Sequence, residues 1–197
     1  RITDAAALNY HLLNTGKGAA VRSPRAQCDK KLYHLKFKHV LEQQRGLHLM
    51  QDEAAELCVN GGEVCGVISA RGTRYSCRAV IVATGTFLNG KIHLGANTFK
   101  GGRFNHFSSD LLPQSMKSLG FAIGRMKTGT PMRINSRSID LSKCREHPSD
   151  DPFVPFSYFT APFRRDFLSC WITRTNEATA AVIRENLHLS PLYSGRI

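Results

Sequence analysis

Hydrophobic and polar positions change period several times along the chain, and each change marks an element. From Pro24 to Gln44, the residues Ala26, Tyr33, Phe37, Val40 and Leu41 share one stripe at spacings near 3.6. This predicts a helix with Pro24 in its first turn and Gly46 beyond its end. The pattern then becomes strand-like. Leu47–Gln51 reads as a short strand. Glu56–Val59 and Val64–Ser69, separated by Asn60-Gly61-Gly62, read as a hairpin, because an Asn-Gly pair supports positive φ. Arg71-Gly72 is a second turn, and Thr73–Arg78 completes a three-strand meander. The meander runs into Ala79-Val80-Ile81-Val82-Ala83, a continuous apolar run typical of a strand buried on both faces of a parallel sheet.

Past Gly90 the periodicity weakens. Residues 91–102 show little pattern. Asp110–Leu119 reads as a helix stopped by Gly120, 124–140 as a basic, turn-rich stretch, and Glu146–Pro155 as an acidic loop. Leu168–Thr173 reads as a strand. Asn176–Leu187 reads as a helix capped by Thr175 or Asn176 with Glu177 in its first turn.

Composition narrows the class. Of 197 residues, 42% are apolar and 21% charged, enough for a packed core and against wholesale disorder. Lys and Arg number 27 against 15 Asp and Glu, a net charge of +12. Residues 1–45 carry nine basic and three acidic side chains, and residues 100–145 nine and two, so the excess is patchy and points to a polyanionic partner. No apolar run reaches the roughly 18 residues that cross a bilayer. The six cysteines follow no C-x-x-C spacing, so a zinc ribbon is not indicated and reduced, mostly buried thiols are expected. His34 and His39 lie in a basic helical stretch, more a solvated face than a metal site. Arg1-Ile2-Thr3-Asp4 reads like the interior of a longer chain.

Three short motifs bear on chemistry. Asn14-Thr15-Gly16-Lys17-Gly18 is a Gly-rich loop that could meet a phosphate, but it lacks the Walker spacing. Lys127-Thr128-Gly129 resembles a β-lactamase triplet, but no S-x-x-K accompanies it. G-x-G-x-x-G is absent. The stronger feature is a meander feeding an apolar strand that ends in Ala83-Thr84-Gly85. It resembles the flavin domain of the glutathione-reductase-like class, in which ligands bind beyond the carboxyl ends of strands.

Four blocks then make the resemblance specific. They are Leu13–Arg22 with Arg25–Lys30; Ala83–Gly95; Gly124–Pro131 with Arg133 and Ser138–Asp140; and Thr173–Glu177 with Arg184–Leu187 and Ser190–Gly195. Their order and spacing resemble the MnmG/GidA family of FAD-dependent tRNA uridine 5-carboxymethylaminomethyl modification enzymes. The likeness spans almost the whole chain and implies an internal piece of a longer enzyme.

The resemblance implies an α/β fold: part of a glutathione-reductase-like FAD-binding domain (parallel sheet plus three-strand meander) over residues 1–90, and the start of an inserted NADH or substrate domain over 91–197. It implies modification of the tRNA wobble uridine at C5, with FAD, NADH as reductant, methylene-tetrahydrofolate as one-carbon donor, the GTPase MnmE as partner, and a homodimer. It also implies a cytoplasmic protein, mitochondrial in a eukaryote. Thr84 and Gly85 fall near the flavin nucleotide, and Ala54 and Ser109 align with FAD-contacting positions. Phe104-Asn105-His106 departs from the small residue, glycine and acid usual in that loop. Lys17, Arg22, Arg25, Arg103, Arg125 and Lys127 are candidates for phosphates of FAD, NADH or tRNA. The family's catalytic cysteines fall outside this window, so no cysteine here is assigned a catalytic role and the piece alone is expected to be inactive. The rival readings are a generic FAD oxidoreductase acting on a small molecule and a basic RNA-binding module without redox chemistry.

Overall fold

A computed structural model describes residues 1–103, 105–161, 163 and 165–195; Phe104, in the divergent loop, lies outside the described residues. In chain order the first elements are α1 (Ile2–Ala6), β1 (Ala7–Leu13), β2 (Ser23–Cys28) and α2 (Lys30–Gln43). The meander follows as β3 (Ala54–Asn60), β4 (Glu63–Ser69) and β5 (Arg74–Ser76), then a hairpin of β6 (Lys91–Leu94) and β7 (Asn97–Lys100). The rest are α3 (Leu111–Ser118), β8 (Arg145–His147), β9 (Cys170–Ile172) and α4 (Glu177–Asn186). Two compact units result: residues 1–49 with 133–175, and residues 50–132 with 176–197.

The first unit is built on β1. Its partner β2 runs antiparallel, with His11 opposite Arg25 and Leu12 opposite Pro24. On its other side β1 meets the distant segment 149–168: the Asp150 N–H donates to the Tyr10 carbonyl at 2.9 Å and the Leu168 N–H to the Leu8 carbonyl at 2.8 Å. Tyr10, 2% exposed, stacks on Phe153 at 4.7 Å and meets the Phe167 ring edge-on at 5.4 Å. Phe163 joins Phe153 and Phe167. The core of this unit is therefore aromatic. Among the described residues the fully buried apolar side chains of this unit are Ala6, Ala7 and Tyr10, so ring faces supply contact that aliphatic side chains do not.

The second unit holds the meander, in the order β3-β4-β5. Asn60 pairs with Glu63, so the tight turn is Gly61-Gly62, with φ of 57° and 87°. That is the positive-φ pair a two-residue hairpin needs, shifted one residue from the expected Asn-Gly. Helix α3 packs on β3, where the Leu57 N–H donates to Ser115 Oγ at 3.0 Å.

Several expectations are corrected. Residues 23–28 are strand, not helix: β1 captures them, and the helix starts at Lys30, capped by Asp29, whose carboxylate accepts the Leu32 N–H at 2.8 Å. Leu47–Gln51 and Ala79–Ala83 form no strand, and Ile81 is 92% exposed. A strand exists only with a hydrogen-bonded neighbour, and no described strand lies beside either segment. Among the described residues the four sheets are small and antiparallel. The chain is thus mixed α/β with the expected meander but without the expected parallel sheet among the described residues. Residues 91–100, where no pattern was expected, form a hairpin around Gly95 (φ 57°), and the acidic loop begins in β8. Among the described residues no helix is long and apolar enough to cross a membrane.

Candidate functional site

Three of the four expected flavin-contacting residues converge in the second unit. After the exposed run ending at Ala83, the chain turns at Gly85 (φ 59°), and the Phe87 N–H donates to the Thr84 carbonyl at 3.3 Å. The Ser109 N–H donates to the Phe87 carbonyl at 2.8 Å, and the Asn89 N–H to the Ser109 carbonyl at 2.9 Å. These bonds form a short parallel bridge between Leu88 and Ser109. Phe87 thus links the Thr84-Gly85 turn to Ser109, 25 positions further on in the numbering.

Glycine makes this approach possible at two points. A Cβ on Gly90 would lie 2.5 Å from the Gly101 carbonyl oxygen, and one on Gly102 would fall 2.2 Å from the Phe87 ring. Thr86 Oγ1 donates to the Gly102 carbonyl at 2.6 Å. The Arg103 guanidinium lies over the Phe87 ring, 5.9 Å from its centroid. Asp110, before α3, is engaged by Lys100 and Ser108, which hold its carboxyl below the usual carboxylate range. Gly85 itself faces open space, with nothing within 4 Å of a built Cβ. The turn therefore offers bare backbone to an incoming group.

Ala54 opens β3 in the same unit and is half-buried. With Met50, Asp52, Val67, Ser69 and Tyr75 it lines a cavity of about 190 Å³. The Tyr75 hydroxyl donates to Asp52 Oδ2 at 2.9 Å. Hydrogen bonding from Ser69, with that from Tyr75, holds Asp52 low against burial, while bonding to Asp52 raises Tyr75.

The phosphate candidates divide between the units. Lys17, Arg22 and Arg25 lie on the β1–β2 hairpin, all exposed: Lys17 in a 3-10 turn, Arg22 after a second such turn, Arg25 on β2. Arg103, Arg125 and Lys127 belong to the second unit, the last two in exposed coil. Among the described residues none of these six has a carboxylate within 4 Å.

Sequence reasoning missed a buried polar network that joins α1 and β1 to the segment 150–160. Asp4, 2% exposed, accepts from the Tyr10 hydroxyl (2.9 Å), the Phe156 and Ser157 N–H groups (2.7 and 3.1 Å) and the Thr160 hydroxyl (2.7 Å). Burial pushes the Asp4 carboxyl up, but these bonds outweigh it and bring it down to about 2. Burial and the Asp4 charge raise Tyr10. His11 Nδ1 meets Asp150 Oδ1 at 2.9 Å, and the His11 ring lies 4.1 Å from that of His147. The signal was present in the strand Ala-Leu-Asn-Tyr-His-Leu-Leu, where Asn9 and His11 interrupt an apolar run. Among the described residues no group of three or more His, Cys, Asp or Glu side chains is placed to hold a metal ion.

Comparison with known proteins bears on the whole chain. The model of the family described as "Glucose inhibited division protein A" matches residues 1–197. The tRNA uridine 5-carboxymethylaminomethyl modification enzyme MnmG of Thermodesulfovibrio yellowstonii is 45% identical over 197 residues, covering 100% of this chain and 32% of the relative. That of Geobacter sulfurreducens is 47% identical over 194 residues, 98% of this chain and 31% of the relative. Among solved structures, Aquifex aeolicus GidA in its form I crystal superposes with a TM-score of 0.90 at 40% identity, covering 100% of this chain and 34% of that one. The chain thus spans about a third of the length of the relatives it matches.

Proposed function

Since the chain belongs to the glucose inhibited division protein A family, we propose that it is part of an FAD-dependent enzyme that modifies the wobble uridine of tRNA at C5. The observation that carries this reading on the chain itself is the convergence of Thr84, Gly85 and Ser109 through Phe87. Backbone turned outward at Gly85, with open space before it, fits a nucleotide cofactor that needs close backbone approach.

In this reading Thr84, Gly85 and Ser109, with Ala54, hold FAD. When bound, the flavin supplies the redox chemistry, and the protein binds and orients it. Arg103, Arg125 and Lys127 meet phosphates of FAD or NADH, and Lys17, Arg22 and Arg25 present positive charge to tRNA. Residues 1–90 are assigned to the flavin domain and 91–197 to the inserted domain. NADH serves as reductant and methylene-tetrahydrofolate as one-carbon donor. The full-length enzyme works as a homodimer with the GTPase MnmE, in the cytoplasm or, in a eukaryote, the mitochondrion.

The test is the absorption spectrum of the full-length protein, with FAD added if it purifies colourless. Flavin bands that bleach under NADH, and that are lost on Gly85→Val, support the reading. A folded full-length protein that takes up no flavin at any FAD concentration overturns it.

A further inference from the structure

The six cysteines are all free and half-buried, but two of them are set against each other. On the antiparallel pair β3–β4, Cys58 is opposite Gly66 and Val59 opposite Val64, so Cys65 is an extra residue between two ladder pairs. In such a bulge two residues of one strand oppose one residue of the other. Here Cys65 and Gly66 together face Cys58. The Cys65 thiol donates to the Cys58 carbonyl at 3.5 Å, which puts its sulfur against the residue it opposes. Arg74 Nη2, from β5, donates to the same sulfur at 3.7 Å. The residue paired with Cys58 is Gly66, and such pairs have Cα atoms about 4.5–5.5 Å apart; Cys65 is the neighbour of Gly66 in the bulge. Cys77 lies across β4 on the other side, joined to Cys65 by a backbone bond of 3.2 Å.

We propose that Cys58 and Cys65 are a redox-active thiol pair, which closes to a disulfide across the β3–β4 hairpin by exchange with a low-molecular-weight disulfide. Cys65, at the bulge and beside Arg74, reacts first. Its sulfur, as thiolate, attacks one sulfur of the small disulfide, whose S–S bond breaks. One half leaves and takes up the proton that Cys65 lost. Cys58 then attacks the Cys65 sulfur of the mixed disulfide, and the second half leaves with the Cys58 proton. Two protein thiols lose two electrons in all, and one small disulfide becomes two thiols. The bridge fastens the same hairpin that carries Ala54 at the start of β3.

The experiment treats the full-length protein with oxidised glutathione, alkylates the remaining thiols and maps the peptides by mass spectrometry. The expected result is a Cys58–Cys65 bridge, reversed by dithiothreitol and unaffected by Cys77→Ser. In Cys58→Ser, Cys65 should instead carry a stable glutathione adduct and no bridge. The proposal is overturned if Cys65 bridges Cys77, if the adduct on Cys65 never resolves in the unmodified sequence, or if both thiols remain alkylatable while other cysteines oxidise.

Discussion

Asp4 shows how much one side chain organises. A buried carboxylate is costly unless its lone pairs are met, and here four donors from two separated stretches of chain meet them. Its carboxyl is brought from 3.8 to about 2, which corresponds to about 2 kcal/mol of stability. Because the folded value is the lower one, this contribution is fully present above about pH 4 and is lost as pH falls toward 2. Asp4→Asn should therefore weaken protection of β1 and of residues 156–160 by about 2 kcal/mol near neutral pH, with the difference falling away as pH drops through about 2 and vanishing below it. Native-state hydrogen exchange on the full-length protein, corrected for intrinsic rates, reads both. The role of Asp4 was not legible in the sequence, since nothing local distinguishes it from a solvated aspartate and its hydrogen-bond donors other than Tyr10 lie more than 150 residues away.

At the scale of elements, local chemistry was legible where it was self-contained. Helix α4 begins where its cap predicts: Asn176 accepts the Thr179 N–H at 3.0 Å, and Thr179 Oγ1 accepts the Asn176 N–H at 3.5 Å, a reciprocal capping box. Asn176→Ala should cost about 1 kcal/mol of local stability. It should fray the first turn, seen as faster exchange of the amides at 178–180 with the C-terminal turn unchanged. The meander was legible for the same reason, since glycine turns and short connections define neighbours. Ser23–Cys28 and Ala79–Ala83 were misread in opposite ways. The first is compatible with a helix stripe but is taken by β1. The second has strong strand propensity, yet propensity without a hydrogen-bonding neighbour makes no strand.

At the scale of the whole molecule, the two compact units are each assembled from segments far apart in sequence. The candidate site lies within one continuous segment, residues 50–132, and was still only half legible. Thr84 and Gly85 stand out together in the sequence, but their link to Ser109 passes through Phe87, which carried no signal of its own. The glycines at 90 and 102 reveal their purpose only against the Gly101 carbonyl and the Phe87 ring. The basic hairpin carries the remaining expectation. If Lys17, Arg22 and Arg25 meet tRNA phosphates, replacing all three by Gln should weaken binding at low salt. It should also flatten the plot of log K against log salt by about 0.7–0.9 for each phosphate no longer neutralised. Filter binding of the full-length protein across a salt series gives both values, and an unchanged slope would assign the three residues to solvent.

The amino-acid sequence by itself determined the features whose causes are local or compositional. These are the meander with its glycine turns, helices α3 and α4 with their ends, the excess of basic charge and the family resemblance carried by four short blocks. Only the tertiary structure decided which strand took Ser23–Cys28, which donors satisfied Asp4, which loops met at Phe87 and which cysteine faced Cys58. Each of those depends on a partner distant along the chain or on a bulge that shifts register. Pairing energy is available only after the chain has closed the intervening loop, so no window of neighbouring residues contains it.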